Sequence, residues 1–104
     1  MFNSFLKRTI YKNRYLVRDS SKIKTKLFPA SKNIKIFLKD KDEFISLEEI
    51  AFDIWSLLKK KILFEDLIKK LEKEYDVSKK TLEKDVVQFI IELEKYHLVK
   101  ILEK

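Results

Sequence analysis

The sequence predicts an α+β domain in which a three-stranded antiparallel sheet is followed by three helices. Two patterns predict it: apolar and polar residues alternate between Lys22 and Ser46, and from Leu47 onward apolar residues recur at i, i+3 and i+4. A third observation sets the scale. The chain has 104 residues, 45% of them hydrophobic and 12% aromatic, which suits one modest core.

The first 21 residues keep neither period. Phe2, Phe5, Leu6, Ile10 and Tyr11 suit a short amphipathic turn or an irregular arm, and Tyr15 to Arg18 suits a strand. This segment reads as an appendage to a domain over residues 22–104. KIKTKLF, from Lys22 to Phe28, sets Ile23, Thr25 and Leu27 on one face and three lysines on the other, the alternation of a strand. Pro29 ends that pairing, PASKN connects, and NIKIFL repeats the pattern with Ile34, Ile36 and Leu38 inward. Lys39 to Asp42 read as a polar turn, and Glu43 to Ser46 as a third short strand.

Ser46 and Glu49 have the spacing of a capping box and predict a helix from Leu47. Its stripe is Leu47, Ile50, Ala51, Ile54, Leu57 and Leu58, with Trp55 at the edge, and the lysines at 59–61 end it. A second helix runs from about Phe64 to Tyr75 with Leu67, Ile68 and Leu71 inward, and Leu63 offers it no side-chain cap. Ser78 caps a third and longest helix, about Lys79 to Tyr96, after which Leu98 to Leu102 look extended or loosely helical.

Composition excludes several chemistries. There is no glycine, so no loop can cradle a phosphate against bare backbone. There is no cysteine, which removes disulfides, thiolate metal sites and a thiol nucleophile. The single His97 cannot build a multi-histidine zinc site, and no Ser, His and Asp fall in a triad pattern. The 17 acidic residues lie among lysines, as on solvated helix faces. The expectation is a chain that is not an enzyme, binds no cofactor or metal, and works in a reducing cytoplasm. No apolar run reaches the length of a signal-peptide core or a membrane span.

The third helix carries two apolar stripes. At about 100° per residue, Leu82, Val86, Phe89, Ile90, Leu93 and Tyr96 share one arc, the core stripe, with His97 on the same side. Val87 and Ile91 project roughly 140° from its centre, with Lys80, Lys84 and Lys95 near the same angle. Either the sheet wraps far enough to cover them, or they line a groove beside a sheet edge where an extended peptide adds a strand.

FISLEEIAFDIWSLL, followed by ILFEDLIKKLEKEYDVSKKTLEKDVVQFIIELEKYHLV, resembles the PqqD-like family, the peptide-binding RiPP recognition elements of ribosomal peptide biosynthesis. The residues that carry the resemblance are Phe44 and Ile45, Leu47, Ile54 and Trp55, Glu65, and Asp85 with Val86; with two earlier strands it covers about residues 22–102. The chain departs from the pattern at Glu48, where the family has Asn, and at Lys59 to Lys61 and His97, where it has Gly. The resemblance implies a winged helix-turn-helix-like domain that binds the leader of a precursor peptide and presents it to a modifying enzyme such as a radical enzyme, protease or cyclase. It implies strand contacts from Glu43, Phe44, Ile45 and Ser46, and helix contacts from Lys80, Lys84, Val87 and Ile91; the helical wheel adds Lys95 at their border. The net charge of +7 then predicts an acidic leader.

Two other readings remain open on the residues. A helix-turn-helix protein that binds DNA also has three helices and positive charge, although here the third helix is mixed in sign and offers only Gln88 for reading bases. A subunit that docks a larger acidic enzyme through residues 1–21 or Lys59 to Lys61 is compatible with leader binding.

Overall fold

The computed structural model describes residues 10–21, 23–28, 33–38 and 43–103, excluding the side chains of residues 24–28 and 43. The strands are β1 (Tyr15–Arg18), β2 (Ile23–Phe28), β3 (Asn33–Leu38), β4 (Glu43–Glu48), β5 (Ile62–Leu63) and β6 (Val99–Leu102). The helices are α1 (Ile50–Leu57), α2 (Phe64–Glu74) and α3 (Lys79–Lys95). The predicted turns at PASKN and at Lys39 to Asp42 lie outside the described residues, except for Asn33.

The expected three-stranded meander is present, in the order β2-β3-β4 and antiparallel throughout. Ile34, Ile36 and Leu38 are buried, as the alternation in NIKIFL requires, and they stand opposite Leu27, Thr25 and Ile23 in register. A second three-stranded sheet, β5-β1-β6, was not expected as a sheet. Its central strand is β1, which pairs antiparallel with both neighbours, Leu16 standing opposite Ile62 and Ile101.

Residues 10–21 are therefore built into the same core as the rest, whereas the sequence suggested an appendage. Tyr11 and Leu16 are fully buried within the single core cluster. Backbone bonds tie the segment down along its length: Phe64 N–H to Arg14 O at 3.0 Å, Arg18 N–H to Leu58 O at 2.9 Å, and Asp19 N–H to Leu98 O at 2.8 Å. Arg18 also donates from Nη1 to the Trp55 carbonyl at 3.1 Å, and its guanidinium lies 5.0 Å from the Trp55 ring centre.

The start of α1 differs from expectation. Ser46 does not cap a helix; it lies within β4, which runs on to Glu48, and Glu49 stands at the helix entry with no side-chain cap bond. Pairing with β3 holds the strand open for longer, because Asn33 donates its amide to Glu48 Oε1 at 2.8 Å across the sheet. The strand and helix meet in a sharp corner at Glu49, with φ 54 and ψ −123. Trp55, expected at the edge of the stripe, is 1% exposed.

The later helices follow their sequence closely. Leu63 precedes α2 without a side-chain cap bond, and Leu67, Ile68 and Leu71 are buried. Ser78 caps α3, its Oγ accepting from the Thr81 N–H at 3.2 Å. The chain leaves α3 through His97 at φ 59, closed by Leu98 N–H to Leu93 O at 2.8 Å and His97 N–H to Glu94 O at 3.0 Å. These bonds form a left-handed C-terminal cap at a place that favours glycine. His97 is consequently exposed and off the core side, a correction to its place on the helical wheel.

Candidate functional site

The residues expected as a binding site lie on β4 and α3. β4 is an edge strand, with β3 on one side and no strand partner on the other among the described residues. Such an edge presents free backbone donors and acceptors. Glu43, Phe44, Ile45 and Ser46, expected as the strand contacts, all lie in it.

The two faces of β4 differ. Ile45 and Leu47 stand opposite Ile36 and Ile34, so they share the inner face; Leu47 is buried, and Ile45 is half-buried against the core. Phe44 points outward and is 56% exposed, opposite Phe37 at 41%, with ring centres 5.8 Å apart. Lys35 Nζ lies 5.3 Å from the Phe44 ring centre, a cation over an aromatic face. Ser46 is also outward and exchanges long contacts of 3.4 and 3.5 Å with the Asn33 amide. Phe37 and Lys35 join the site from β3, and the alternation in NIKIFL places both on the outer face.

The α3 half of the site differs from the two-stripe reading. Val87 is 1% exposed, so it is core and not the open floor of a groove, while Ile91 is half-buried. At about 100° per residue, Leu82, Leu93, Val86, Ile90 and Val87 sweep an arc of about 140°. Phe89 and Tyr96 lie just beyond one margin of that arc and Ile91 beyond the other, all three half-buried. The buried face is thus wider than the core stripe and turned toward Val87. The N-terminal segment reaches this flank of the helix. The Tyr11 hydroxyl donates to Glu94 Oε1, and Glu94 falls between Ile90 and Val87 on the helix. Burial, together with that carboxylate, pushes the Tyr11 phenol well above its ordinary range.

Lys80, Lys84 and Lys95 are exposed, and Lys95 Nζ lies 5.9 Å from the Tyr96 ring centre. They do not make α3 a positive surface. Its four lysines are matched by Glu83, Asp85, Glu92 and Glu94, so the helix is electrically balanced. Among the described residues, no group of three or more histidine or carboxylate side chains could hold a metal ion, and no helix is long and apolar enough to cross a membrane.

Comparison with known proteins bears on this arrangement. Residues 35–99 match the family model of coenzyme PQQ synthesis protein D, PqqD, and that stretch runs from β3 through β4 and all three helices to the start of β6. No curated protein matches the chain. Among solved structures, the chain is similar to TbiB1 in complex with the TbiA(beta) leader peptide, with a TM-score of 0.65 and 22% identity over 75% of this chain and 90% of that one. At that identity the similarity is one of fold.

Proposed function

The chain belongs to the PqqD family, and from that premise we propose that it binds the leader segment of a ribosomally made precursor peptide and presents it to a modifying enzyme. The observation that carries the reading is the outer edge of β4, which has no strand partner among the described residues. The solved relative in fold is described with a leader peptide bound, which supports the same reading.

In this reading the leader adds as a strand to β4. Backbone hydrogen bonds supply affinity that is indifferent to sequence, and the alternation of side chains supplies the choice of partner. Leader residues that face inward meet Ile45 and Ile91. Those that face outward meet Phe44, with Phe37 and Lys35 behind it, so a large apolar residue at an outward position is favoured. Lys80 and Lys84 favour acidic residues where the leader passes α3. Val87 supports Ile91 from within the core and does not touch the peptide. No chemistry is asked of the chain: it holds the substrate at an effective concentration that reaches the millimolar range for a short tether. The reaction belongs to the partner, a radical enzyme, protease or cyclase, in the cytoplasm.

The test is a titration of the isotopically labelled chain with synthetic leader segments of candidate precursor peptides. Amide shifts should concentrate in Glu43–Glu48 and along α3, and Phe44→Ala and Ile91→Ser should each weaken binding by about tenfold, the worth of burying part of one apolar side chain. Saturable binding whose shifts avoid β4 would refute the site.

A further inference from the structure

Away from β4 and α3, the fold gathers charge that the sequence disperses. An open cleft of about 670 Å³ lies between the turn that follows α1 and the outer side of α2. Lys59, Lys60 and Lys61 line it from the turn, and Lys69 and Lys70 from the helix. Among the described residues Asp66 is the one carboxylate in its lining, so five lysines face a single negative charge there. All five lysines are exposed, and none forms an ion pair with a carboxylate among the described residues. Ammonium groups held together in this way repel one another, and α3 avoids that cost by alternating signs.

The floor of the cleft is apolar. Leu57, Ile62 and Leu63 are half-buried there, and Lys61 Nζ sits 4.7 Å from the centre of the Tyr15 ring. Apolar floor and cationic walls fit a ligand that carries both carboxylates and aliphatic side chains. They fit a nucleic acid poorly. Among the described residues the lining contains no arginine, asparagine or glutamine to read a base edge, the ring of Tyr15 is already covered by Lys61, and Asp66 repels a phosphate track.

We propose that this cleft docks an acidic segment with interspersed aliphatic residues on the surface of a partner protein, apart from the β4 edge. The charge argument stands by itself; the identity of the partner as the leader-modifying enzyme rests on the function proposed above. A chain that hands a bound leader to an enzyme needs two surfaces, and none of the described residues that line the cleft belongs to β4 or α3.

The experiment uses the labelled full chain and three probes at physiological salt: a synthetic twelve-residue repeat of Glu-Glu-Leu, the same repeat with Lys in place of Glu, and a random DNA duplex. The acidic peptide should shift amides in residues 56–63 and 66–70. The variant carrying Lys60→Glu, Lys61→Glu, Lys69→Glu and Lys70→Glu should bind it at least about tenfold more weakly. A proton spectrum that retains native dispersion establishes that this exposed variant is folded. The proposal is overturned if the shifts spread equally to Lys80 and Lys84, if the fourfold variant binds the acidic peptide as well as the wild type, or if the duplex occupies the same residues more tightly than the peptide does. A leader that fails to shift β4 in a parallel sample counts against the leader reading alone, since the cleft is scored on other residues.

Discussion

Replacing His97 with glycine should make the protein more stable. His97 has φ 59, a left-handed conformation in which a Cβ atom costs about 1–2 kcal/mol relative to glycine. Its side chain is exposed, so removing the imidazole forfeits no burial. The conformation is imposed by its flanks. The Leu98 N–H reaches back to Leu93 O at 2.8 Å, the His97 N–H reaches Glu94 O at 3.0 Å, and Leu98 is buried at the start of the return into β6. Glycine would relieve the steric cost in the folded state, but its freer unfolded chain offsets about 0.4–1 kcal/mol of the gain. The net is about 0.5–1 kcal/mol, or roughly 2–8 °C in melting temperature for a chain of this length. Urea denaturation followed by the fluorescence of the single, buried Trp55 measures it. His97→Ala keeps the Cβ and should give no such gain. A glycine variant with an unchanged or lowered midpoint and an unchanged slope would refute the reasoning, because the strain would then not exist.

Glu49→Gly should also stabilise, by up to about 1 kcal/mol in the same assay, since φ 54 with ψ −123 is a conformation that glycine reaches without a Cβ clash; destabilisation would show that the Glu49 side chain is needed at that corner. Leu16→Ala should cost about 2–5 kcal/mol, because Leu16 is fully buried in the middle of the β5-β1-β6 sheet; a loss well under about 1 kcal/mol would return residues 10–21 to the status of an appendage. Alkaline pH should destabilise the fold through Tyr11, whose phenol burial and Glu94 hold above its ordinary range. An unfolded tyrosine ionises near pH 10, so the Tyr11 contribution is complete below about pH 10 and declines above it, at a limiting slope of about 1.4 kcal/mol per pH unit. Tyr11→Phe should flatten that slope, and an identical alkaline limb in the variant would exclude Tyr11 as its source.

What the sequence made legible depended on how local the cause was. β2, β3, α2 and α3 announce themselves by period, because each buries one face and nothing distant is needed to define it. β5 has two residues and exists only because β1 pairs with it across nearly fifty positions of chain, which no window can register. Ser46 and Glu49 satisfy the capping-box pattern, yet the competing partner was Asn33, fifteen residues before Glu48, and cross-strand pairing won. The helical wheel, continued past Lys95, sets His97 on the core side, but the left-handed step at that residue ends the helical period. Val87 is the instructive case at the site. Its angle sets it apart from the core stripe, yet it is buried, and on the same flank Glu94 takes a hydrogen bond from Tyr11, 83 positions away.

Charge shows the same dependence on distance, and it separates the two proposed surfaces. On α3, lysines and carboxylates alternate within a turn or two, so their fields largely cancel and the helix draws an acidic ligand weakly. In the cleft, two short lysine runs eight residues apart are brought face to face by the turn into α2, and little cancels them. Among the described residues, uncancelled positive charge is therefore a property of the cleft more than of α3. Binding of a leader along β4, held by backbone bonds and apolar contact, should change little as ionic strength rises. Binding of an acidic peptide in the cleft should weaken steeply over the same range, because exposed charges are screened within about 8 Å at physiological salt. Titrations of both ligands at low and high salt resolve this. Equal salt dependence at the two surfaces would mean that the lysines of α3 act on the ligand despite their neighbouring carboxylates, and the division of roles between the surfaces would fail.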